Sequence, residues 1–248
     1  MSSKVYPVSN YKDYRPSKNP YCQKAAEFEA SGKKTLLADQ STELHKGKWR
    51  EYFGAPKDAV LQLELGAYHG ETSIELARTN PNAVHLGVEW KYKQCFKGGK
   101  KAHDLGLTNV AFLRANMARL PWMLAPGEVD RVWVLFPDPW AKATHQKWRV
   151  LHPGFLRLLG NLLKEGKELM IKTDHADYAA FIKESIQEAG GFDYMTEEKA
   201  KDTWGLIPPT PFERIFLRQG LPINSFALVR NADALKAPEE VQHVLAGV

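Results

Sequence analysis

Short apolar runs alternate with amphipathic segments along the central part of the chain. Continuous apolar runs are typical of strands that are buried on both faces of a parallel sheet. Such runs predict strands at residues 60–65, 83–89, 110–113, 131–135 and 168–172. The segments between them predict helices at residues 71–78, 91–104, 155–163 and 178–187. Two later strands, near 192–194 and 226–230, fit a hairpin-like pair at a sheet edge.

This alternation indicates an α/β protein with a doubly wound, Rossmann-like fold. We expect a mostly parallel sheet with helices on both faces and an antiparallel edge strand. Residues 1–30 are rich in Tyr, Pro, Ser, Asn and Lys without a sustained period, which predicts an extended or partly disordered arm. We therefore divide the chain into an arm (1–45), one domain (46–232) and a tail (233–248).

Composition narrows the class of protein only moderately. The 248 residues suffice for one large domain, and a net charge of +5 is mild for a nucleic-acid binder, so the distribution of charge matters more than its total. The two cysteines form no CxxC pair and the histidines no HxH or HxxxH pair, so we expect neither a disulfide framework nor a metal site. The absence of a long apolar segment predicts no membrane span and a cytoplasmic protein.

The turn after the first predicted strand, Glu64 to Gly70, is typical of nucleotide binding. Its glycines, Gly66 and Gly70, permit a tight turn that brings backbone amides close to a ligand. Glu89 ends the second strand, where an acid can accept both ribose hydroxyls, and Asn116 follows the third, near an adenine edge. The alternatives are that Glu64 caps its own turn and that Glu89 is a solvated charge.

The spacing of the turn favours one cofactor class. It lacks the GxGxxG pattern, which disfavours a nicotinamide dinucleotide. S-adenosyl-L-methionine has no pyrophosphate and needs less of an amide cradle. Acids at the ends of two successive strands therefore indicate a methyltransferase.

The segment after the fourth strand carries the second candidate site. Pro137 and Pro139 end the strand and hold Asp138 and Trp140 at its carboxyl end, where open α/β sheets bind ligands. Basic side chains follow closely, and an acid and an indole beside a cationic loop suit a planar base attached to a phosphate backbone. Trp140 either receives the base or packs beneath the loop. The potentially basic residues are Lys142, His145, Lys147 and Arg149.

A further basic stripe lies on the predicted helix 91–104. Its lysines follow the spacing i, i+4, i+7, i+8 and share one helical face, which suits a phosphate track, although a solvated surface is the simpler reading. We expect the loop, rather than this helix, to be the main contact with such a phosphate backbone. The lysines are Lys93, Lys97, Lys100 and Lys101.

Together these motifs resemble the bacterial tRNA (guanine-N7)-methyltransferase family over about residues 46–230. The FPDPW element with its basic loop, combined with a late TxFE element, is the specific part of the resemblance. The matching segments are Lys46-Gly47-Lys48-Trp49, Glu64–Gly70, Gly87-Val88-Glu89, Leu113–Asn116, Phe136–Trp140, Thr173-Asp174 and Thr210–Glu213.

The resemblance implies S-adenosyl-L-methionine as cofactor, tRNA as partner and a role for each matching residue. Asp138 would be the catalytic acid at the junction of donor and acceptor. The donor-binding residues would be Glu64, Gly66, Gly70, Glu89, Asn116 and Asp138. The guanosine would be contacted by Lys142, Asp174, Thr210, Pro211, Phe212 and Glu213. The RNA would be contacted by Thr144, His145, Gln146, Lys147, Trp148 and Arg149.

Three positions depart from the family pattern. Tyr68 stands where the donor turn usually has its middle glycine, and its side chain could fill part of the methionine pocket. Ala141 replaces the usual proline after FPDPW, and Trp148 stands where an arginine is common. Tyr68 motivates an alternative function, a tRNA-binding protein with a weakened or lost donor site. An enzyme of the same fold acting on a small molecule or a protein, and a nicotinamide oxidoreductase, are further alternatives.

Two of the implied guanosine contacts also have purely structural readings. Asp174 could cap the helix that follows it, and Glu213 could be a solvated loop charge. The sequence alone leaves these readings open, and it leaves both a monomer and a homodimer possible.

Overall fold

The structure, a computed structural model, describes residues 19–234. These residues belong to two compact units, 19–125 and 126–234, which are described separately. The first unit contains four strands and five helices. The strands are β1 (Leu36–Ala38), β2 (Leu61–Leu65), β3 (Val84–Glu89) and β4 (Val110–Arg114). The helices are α1 (Pro20–Ala30), α2 (Trp49–Tyr52), α3 (Glu71–Thr79), α4 (Tyr92–Asp104) and α5 (Leu120–Met123). Short 3-10 helices cover Asp39–Glu43 and Met117–Arg119.

The strands of the first unit are parallel and lie in the order β1-β4-β3-β2. Every residue of β2, β3 and β4 is buried, which is why these strands are almost continuously apolar. In the register, Leu63 lies opposite Leu86 and Gly87 lies opposite Phe112. Because all four strands run the same way, the residues that follow them meet at one edge of the sheet.

The second unit combines parallel and antiparallel pairing. Its strands are β5 (Val129–Leu135), β6 (Leu163–Thr173), β7 (Phe192–Tyr194) and β8 (Asn224–Arg230), in the order β5-β6-β8-β7. β5 pairs with β6 in parallel, whereas β8 is antiparallel to both β6 and β7. Its helices are α6 (Pro153–Leu162), α7 (Ala176–Ala189), α8 (Glu197–Trp204) and α9 (Pro211–Arg218). A 3-10 helix covers Ala143–Trp148.

The predicted doubly wound, Rossmann-like fold is confirmed, including its antiparallel edge. The strand predicted at residues 168–172 is longer in the structure, because β6 begins at Leu163, directly after α6. The register between β5 and β6 shifts between Val129 and Arg131, and Gly166 has a φ of 72°. The first residues of β6 therefore contain an irregularity within the strand.

The prediction of an extended arm over residues 1–30 is wrong for Pro20–Ala30, which form α1. Asn19 caps this helix by accepting from Tyr21 N, and Pro20 occupies its first turn. Ala25 and Phe28 are buried, and Phe28 packs edge-to-face on Phe96 of α4. The apolar face of α1 is narrow, which is why the pattern of residues 1–30 hid it. The predicted arm, set at residues 1–45, also contains β1 and the 3-10 helix Asp39–Glu43, so the prediction is wrong for these residues as well. Residues 1–18 of the arm and most of the predicted tail, 235–248, lie outside the described residues.

The KGKW motif serves the fold of the first unit. Trp49 is fully buried, and its indole N–H donates to Met123 O at 2.8 Å. Lys46 Nζ donates to Pro121 O at 2.6 Å. Both contacts hold α5, which follows the carboxyl end of β4, so this motif supports the edge on which the candidate site is built.

Candidate functional site

Glu64, at the end of β2, stabilises the turn between β2 and α3 by hydrogen bonds to the first turn of α3. Glu64 is buried, and its Oε2 accepts from Ser73 N at 3.0 Å and from the Ser73 hydroxyl at 2.5 Å. It thus satisfies a free amide in the first turn of α3. Burial raises the pKa of Glu64 to about 7, although hydrogen bonds from Ser73 and Thr72 oppose the shift. The capping interpretation of Glu64 is therefore realised in the structure.

Glu89 ties the same turn to the end of β3. Its side chain is buried, Oε2 accepts from Tyr68 N at 3.0 Å, and Oε1 accepts from Lys91 N at 2.7 Å. Gly66 N and Ala67 N both donate to Val88 O, at 2.9 and 3.0 Å. The interpretation of Glu89 as a solvated charge is wrong, because the carboxylate organises the backbone of the predicted donor turn.

The turn has left-handed backbone conformations at three of its five residues. Gly66, Tyr68 and Gly70 have φ values of 75°, 49° and 78°. A Cβ on Gly70 would also lie 2.1 Å from the ring of Phe112, so this position requires glycine twice over. Tyr68 adopts the left-handed conformation that glycine prefers, which costs a tyrosine about 1 kcal/mol and explains why glycine is the usual residue at this position in the family pattern. The residue is 40% exposed, and its ring stacks on that of His69 with the ring centroids 3.9 Å apart.

Asn116 lies at the carboxyl end of β4, on the same edge. Its side-chain oxygen accepts from Ala118 N at 2.9 Å and caps the 3-10 helix Met117–Arg119. Met117, which sequence reasoning missed, lies with its methyl carbon 3.6 Å from the Cβ position of Gly66. The first unit therefore brings Glu64, Gly66, Gly70, Glu89 and Asn116 to one sheet edge, as predicted.

A buried arginine network, also missed from the sequence, braces this edge. Arg114 at the end of β4 forms an ion pair with Asp39, which also accepts from the Tyr92 hydroxyl. The guanidinium lies 4.4 Å from the centroid of the Trp90 ring and 3.8 Å from that of Tyr92, and its Nε donates to Trp90 O at 3.0 Å. These contacts fix Trp90, the exposed aromatic directly after Glu89.

The second unit presents the FPDPW segment directly after β5. Phe136 N donates to Lys172 O at 2.8 Å, so Phe136 continues the pairing of β5 with β6. Phe136 and Trp140 have φ values of 54° and 45°, which are uncommon for residues with a Cβ. Asp138, between the two prolines, is exposed. The chain thus turns sharply twice and holds one carboxylate in solvent between the turns.

Arg149 braces this loop from within. The side chain was predicted to contact RNA, but it is only 3% exposed, so the structure places it away from a phosphate contact. Its Nε donates to Pro139 O at 2.9 Å, and its guanidinium lies 5.1 Å from the ring centroids of both Tyr178 and Phe181. Burial raises the pKa of Tyr178 to about 12.

The remaining loop residues form an accessible surface. The rings of Trp140 and Trp148 pack edge-to-face with their centroids 5.0 Å apart, and the His145 ring centroid lies 4.5 Å from that of Trp148. Lys147 Nζ lies 5.6 Å from the centroid of the Trp148 ring. Trp140 is 37% exposed, so it packs within the loop and still presents part of its ring. The other exposed loop residues are Lys142, Thr144, Gln146 and Lys147.

The TxFE motif forms the start of α9. Glu213 N donates to Thr210 Oγ1 at 3.0 Å, and Thr210 N donates to Glu213 Oε2 at 3.4 Å, which is a capping box with Pro211 in the first turn. Glu213 Oε1 accepts from Lys172 Nζ at 2.6 Å, in an ion pair that is mostly buried. The interpretation of Glu213 as a solvated loop charge is therefore wrong, whereas its predicted contact with the guanosine stays a prediction. Phe212 is the exposed member of the motif.

Asp174 lies just after β6 and is half-buried. It was interpreted alternatively as the cap of the next helix, but that role belongs to His175, whose Nδ1 accepts from Tyr178 N at 3.3 Å. The carboxylate of Asp174 is therefore not the capping group of α7. Its predicted contact with the guanosine stays a prediction.

Within residues 19–234, none of the helices combines the length and the apolar composition that a membrane crossing requires. The same part of the chain holds no group of three or more His, Cys, Asp or Glu side chains that could bind a metal ion.

Comparison with known proteins identifies the family and the fold of this chain. A family model described as "Putative methyltransferase" matches residues 58–225. Among solved structures, an antibiotic-related methyltransferase has a TM-score of 0.53 at 20% identity, covering 79% of this chain and 96% of that chain. The 16S rRNA methyltransferase KamB has a TM-score of 0.51 at 18% identity, covering 74% and 92%. These likenesses establish the fold, and fold and family match together define a methyltransferase.

Sequence relatives narrow the class further. A tRNA (guanine-N(7)-)-methyltransferase of Christiangramia forsetii is 33% identical over 195 residues, which cover 75% of this chain and 85% of the relative. One of Alkaliphilus oremlandii is 30% identical over 185 residues, covering 73% and 85%. The chain belongs to the tRNA (guanine-N7)-methyltransferase family, and S-adenosyl-L-methionine is the cofactor that this membership implies.

Proposed function

We propose that this protein transfers a methyl group from S-adenosyl-L-methionine to N7 of a guanosine in tRNA, in the variable loop. The observation that carries the proposal is the buried Glu89, which binds the amide of Tyr68 and so couples an acid to the glycine turn. An acid bonded to such a turn at the end of a parallel strand suits the ribose of a nucleoside cofactor.

The residues of the first unit fit this donor. Glu89 accepts hydrogen bonds from two backbone amides. Because a carboxylate can accept about four hydrogen bonds, Glu89 can also accept from the ribose hydroxyls of the donor. Gly66 is exposed and carries no Cβ, which lets a ligand approach the backbone closely. We propose that Glu89, Asn116 and the backbone of Gly66–Gly70 hold the donor, while Glu64 supports the turn from below.

The chemistry places few demands on the protein. When bound, the cofactor supplies an electrophilic methyl group on a sulfonium. Guanine N7 carries a lone pair and no proton, so no general base is needed, and catalysis rests on positioning. Positive charge grows on the purine during transfer. We propose that the exposed carboxylate of Asp138, held between two prolines, stabilises this charge and contacts the donor–acceptor junction.

Recognition of guanine uses acceptors that adenine cannot satisfy. Guanine donates from N1 and from its exocyclic amine, and a carboxylate can accept both. Asp174 is the half-buried acid after β6 that we assign to this role, with Lys142 and Phe212 as exposed contacts. The cap and first turn of α9 are formed by Thr210, Pro211 and Glu213. These residues would affect guanosine binding by fixing where α9 begins.

The loop from Thr144 to Trp148 supplies the RNA contact of the second unit. Its exposed cation Lys147 is suited to phosphate, and the exposed faces of Trp140 and Trp148 are suited to stacking. Arg149 is proposed to position this loop by holding Pro139. A tRNA substrate agrees with the cytoplasmic location expected from the sequence.

The direct test is incubation of the protein with unmodified tRNA and S-adenosyl-L-methionine, followed by nucleoside mass spectrometry. We expect 7-methylguanosine in the tRNA. The alternative, a tRNA-binding protein without a donor site, predicts no saturable heat when the protein is titrated with S-adenosyl-L-methionine. That alternative is not favoured, because the Tyr68 ring is partly in solvent and stacks on His69.

A further inference from the structure

The exposed face of α4 carries an uninterrupted line of lysines. All four are exposed, while the opposite face, including Cys95, Gly98 and Ala102, is buried. Lys100 pairs with Asp104 at 2.5 Å, and within residues 19–234 the other three make no recorded ion pair. A line of like charges is unfavourable unless an anion covers it. The lysines are Lys93, Lys97, Lys100 and Lys101.

Helix α1, which the sequence analysis did not predict, forms the second side of a groove next to the lysines of α4. Tyr21 packs edge-to-face on Phe96 of α4 at 5.7 Å, and Lys24 Nζ lies 5.0 Å from the centroid of the Tyr21 ring. Between the two helices lies a groove of about 430 Å³ with an aromatic floor and a cationic rim. We call its lining the α1–α4 surface, formed by Tyr21, Lys24, Phe96, Lys97, Lys100, Lys101, Asp104 and Leu105. Its one carboxylate, Asp104, is paired with Lys100, so the rim keeps a net positive charge.

The lysine line begins beside the proposed donor turn. Helix α4 starts at Tyr92, shortly after Glu89, and Lys93 to Lys101 span about 12 Å at the rise of an α-helix. Burial lowers the pKa of His69, in the turn itself; Glu71 opposes this shift and Lys97, Lys101 and Lys93 add to it. The line of lysines therefore lies close to the donor turn.

The kind of partner follows from charge and shape. The phosphates of a nucleic-acid strand fit the cationic rim, and the sugar rings and bases between them can pack on the aromatic floor. The N-terminal residues are poor candidates for covering the groove, because residues 1–18 carry Lys4, Lys12, Arg15 and Lys18 against the single acid Asp13. Like charges would repel.

We propose that the α1–α4 surface binds the sugar–phosphate backbone of the same tRNA, away from the nucleotide that is methylated. This inference rests on the proposed function for the identity of the RNA. It assigns the surface to affinity, with no part in the chemical step. It also gives α1 a function beyond packing, because Lys24 would reach the RNA from that helix.

The test is a triple substitution, Lys24→Ala with Lys97→Ala and Lys101→Ala, measured for tRNA affinity across a salt series. Each lost phosphate contact lowers the slope of log K against log salt by about 0.9, so we expect a slope smaller by about 2–3. At low salt the Kd for tRNA should rise about 10- to 100-fold. Donor affinity and kcat at saturating tRNA should stay within about twofold.

Matched variants distinguish loss of this surface from a general loss of positive charge on the protein. The triple Lys57→Ala, Lys183→Ala, Lys201→Ala also removes three exposed lysines and should leave the slope unchanged. Replacing Lys24, Lys97 and Lys101 by arginine should retain tRNA affinity. Acetylation of these lysines should slow when tRNA is added.

The outcomes distinguish this inference from the proposed function. An unchanged slope in the Lys24, Lys97, Lys101 variant, with wild type forming 7-methylguanosine, overturns the inference and leaves the function standing. An equal loss in the control triple overturns it as well. If wild type binds tRNA but forms no 7-methylguanosine, the proposed function fails, while a reduced slope still supports the surface.

Discussion

The donor turn of residues 19–125 and the loop after β5 in residues 126–234 are built by opposite rules. In the donor turn the acids are buried and bonded to backbone amides, as with Glu89 on Tyr68 N. In the loop the acid Asp138 is exposed, and the buried group is a cation, Arg149. A small cofactor calls for a rigid cradle, whereas a tRNA calls for accessible groups on a braced loop. The two regions therefore fit the two ligands that we propose for them.

The regions share one feature, left-handed backbone at residues that carry a side chain. Tyr68 lies in the turn, and Phe136 and Trp140 lie in the loop, with φ values of 49°, 54° and 45°. Each such residue costs about 1 kcal/mol or more and persists only where its surroundings hold it. Their occurrence at both candidate regions supports the assignment of function to them.

The largest effect should come from breaking the buried pair of Lys172 and Glu213. Glu213→Ala leaves Lys172 unpaired in the interior and should reduce the free energy of unfolding by about 3–5 kcal/mol, measured by urea unfolding. The double variant Lys172→Met, Glu213→Leu should recover much of the loss. Unchanged stability with a raised KM for tRNA would instead make Glu213 a guanosine contact.

Asp138→Ala should lower kcat about 10²- to 10³-fold, because it removes charge stabilisation at the reacting base. Since Asp138 is exposed, the melting temperature should not change. Steady-state methylation of tRNA measures the rate, and Asp138→Asn serves as the matched control that keeps the size of the side chain. A fully active Asp138→Ala variant contradicts the assignment.

Glu64→Gln should change how stability depends on pH. Burial raises the pKa of Glu64 in the folded protein to about 7, above its ordinary value of 4.5. Between these pH values the folded state holds a proton that the unfolded state has lost, so the wild type loses stability as pH rises. Relative to Glu64→Gln, the loss should total about 3 kcal/mol between pH 4 and 8. Parallel stability curves for the two proteins would contradict this.

The smallest effect concerns Tyr68. Tyr68→Gly should stabilise the fold by at most about 1 kcal/mol, because glycine adopts the left-handed conformation without strain. Tyr68→Val should destabilise it, since a β-branched residue is disfavoured there. Thermal unfolding measures both. Donor titration of Tyr68→Gly should give an affinity at least equal to that of the wild type, and a marked loss would show that the ring contacts the donor.

The central strands could be predicted because their signal is local. Continuous apolar runs predicted β2, β3 and β4. Because Glu89 ends β3 and Asn116 follows β4, the sequence also predicted that both lie at one edge of the sheet. β1 and α1 were missed, since one is three residues long and the other has a narrow apolar face. The cap and proline at Asn19-Pro20 were a signal that could have revealed α1.

The roles of individual charged residues were harder to predict, because burial of a charge depends on a distant partner. Arg149 is covered by Tyr178 and Phe181, and Glu213 is paired with Lys172 from another strand. Motif spacing placed these side chains in the right segments but could not show which way they point. The Arg114 network likewise depends on Asp39, far away along the chain.

The central claim is that the nitrogen at position 7 of guanine accepts the methyl group. We would compare two transcripts of one tRNA, one made with guanosine and one with 7-deazaguanosine, which has carbon at that position. With S-adenosyl-L-methionine labelled in its methyl group, we expect labelling of the guanosine transcript and none of the 7-deaza transcript. Equal labelling of the two transcripts would contradict the account.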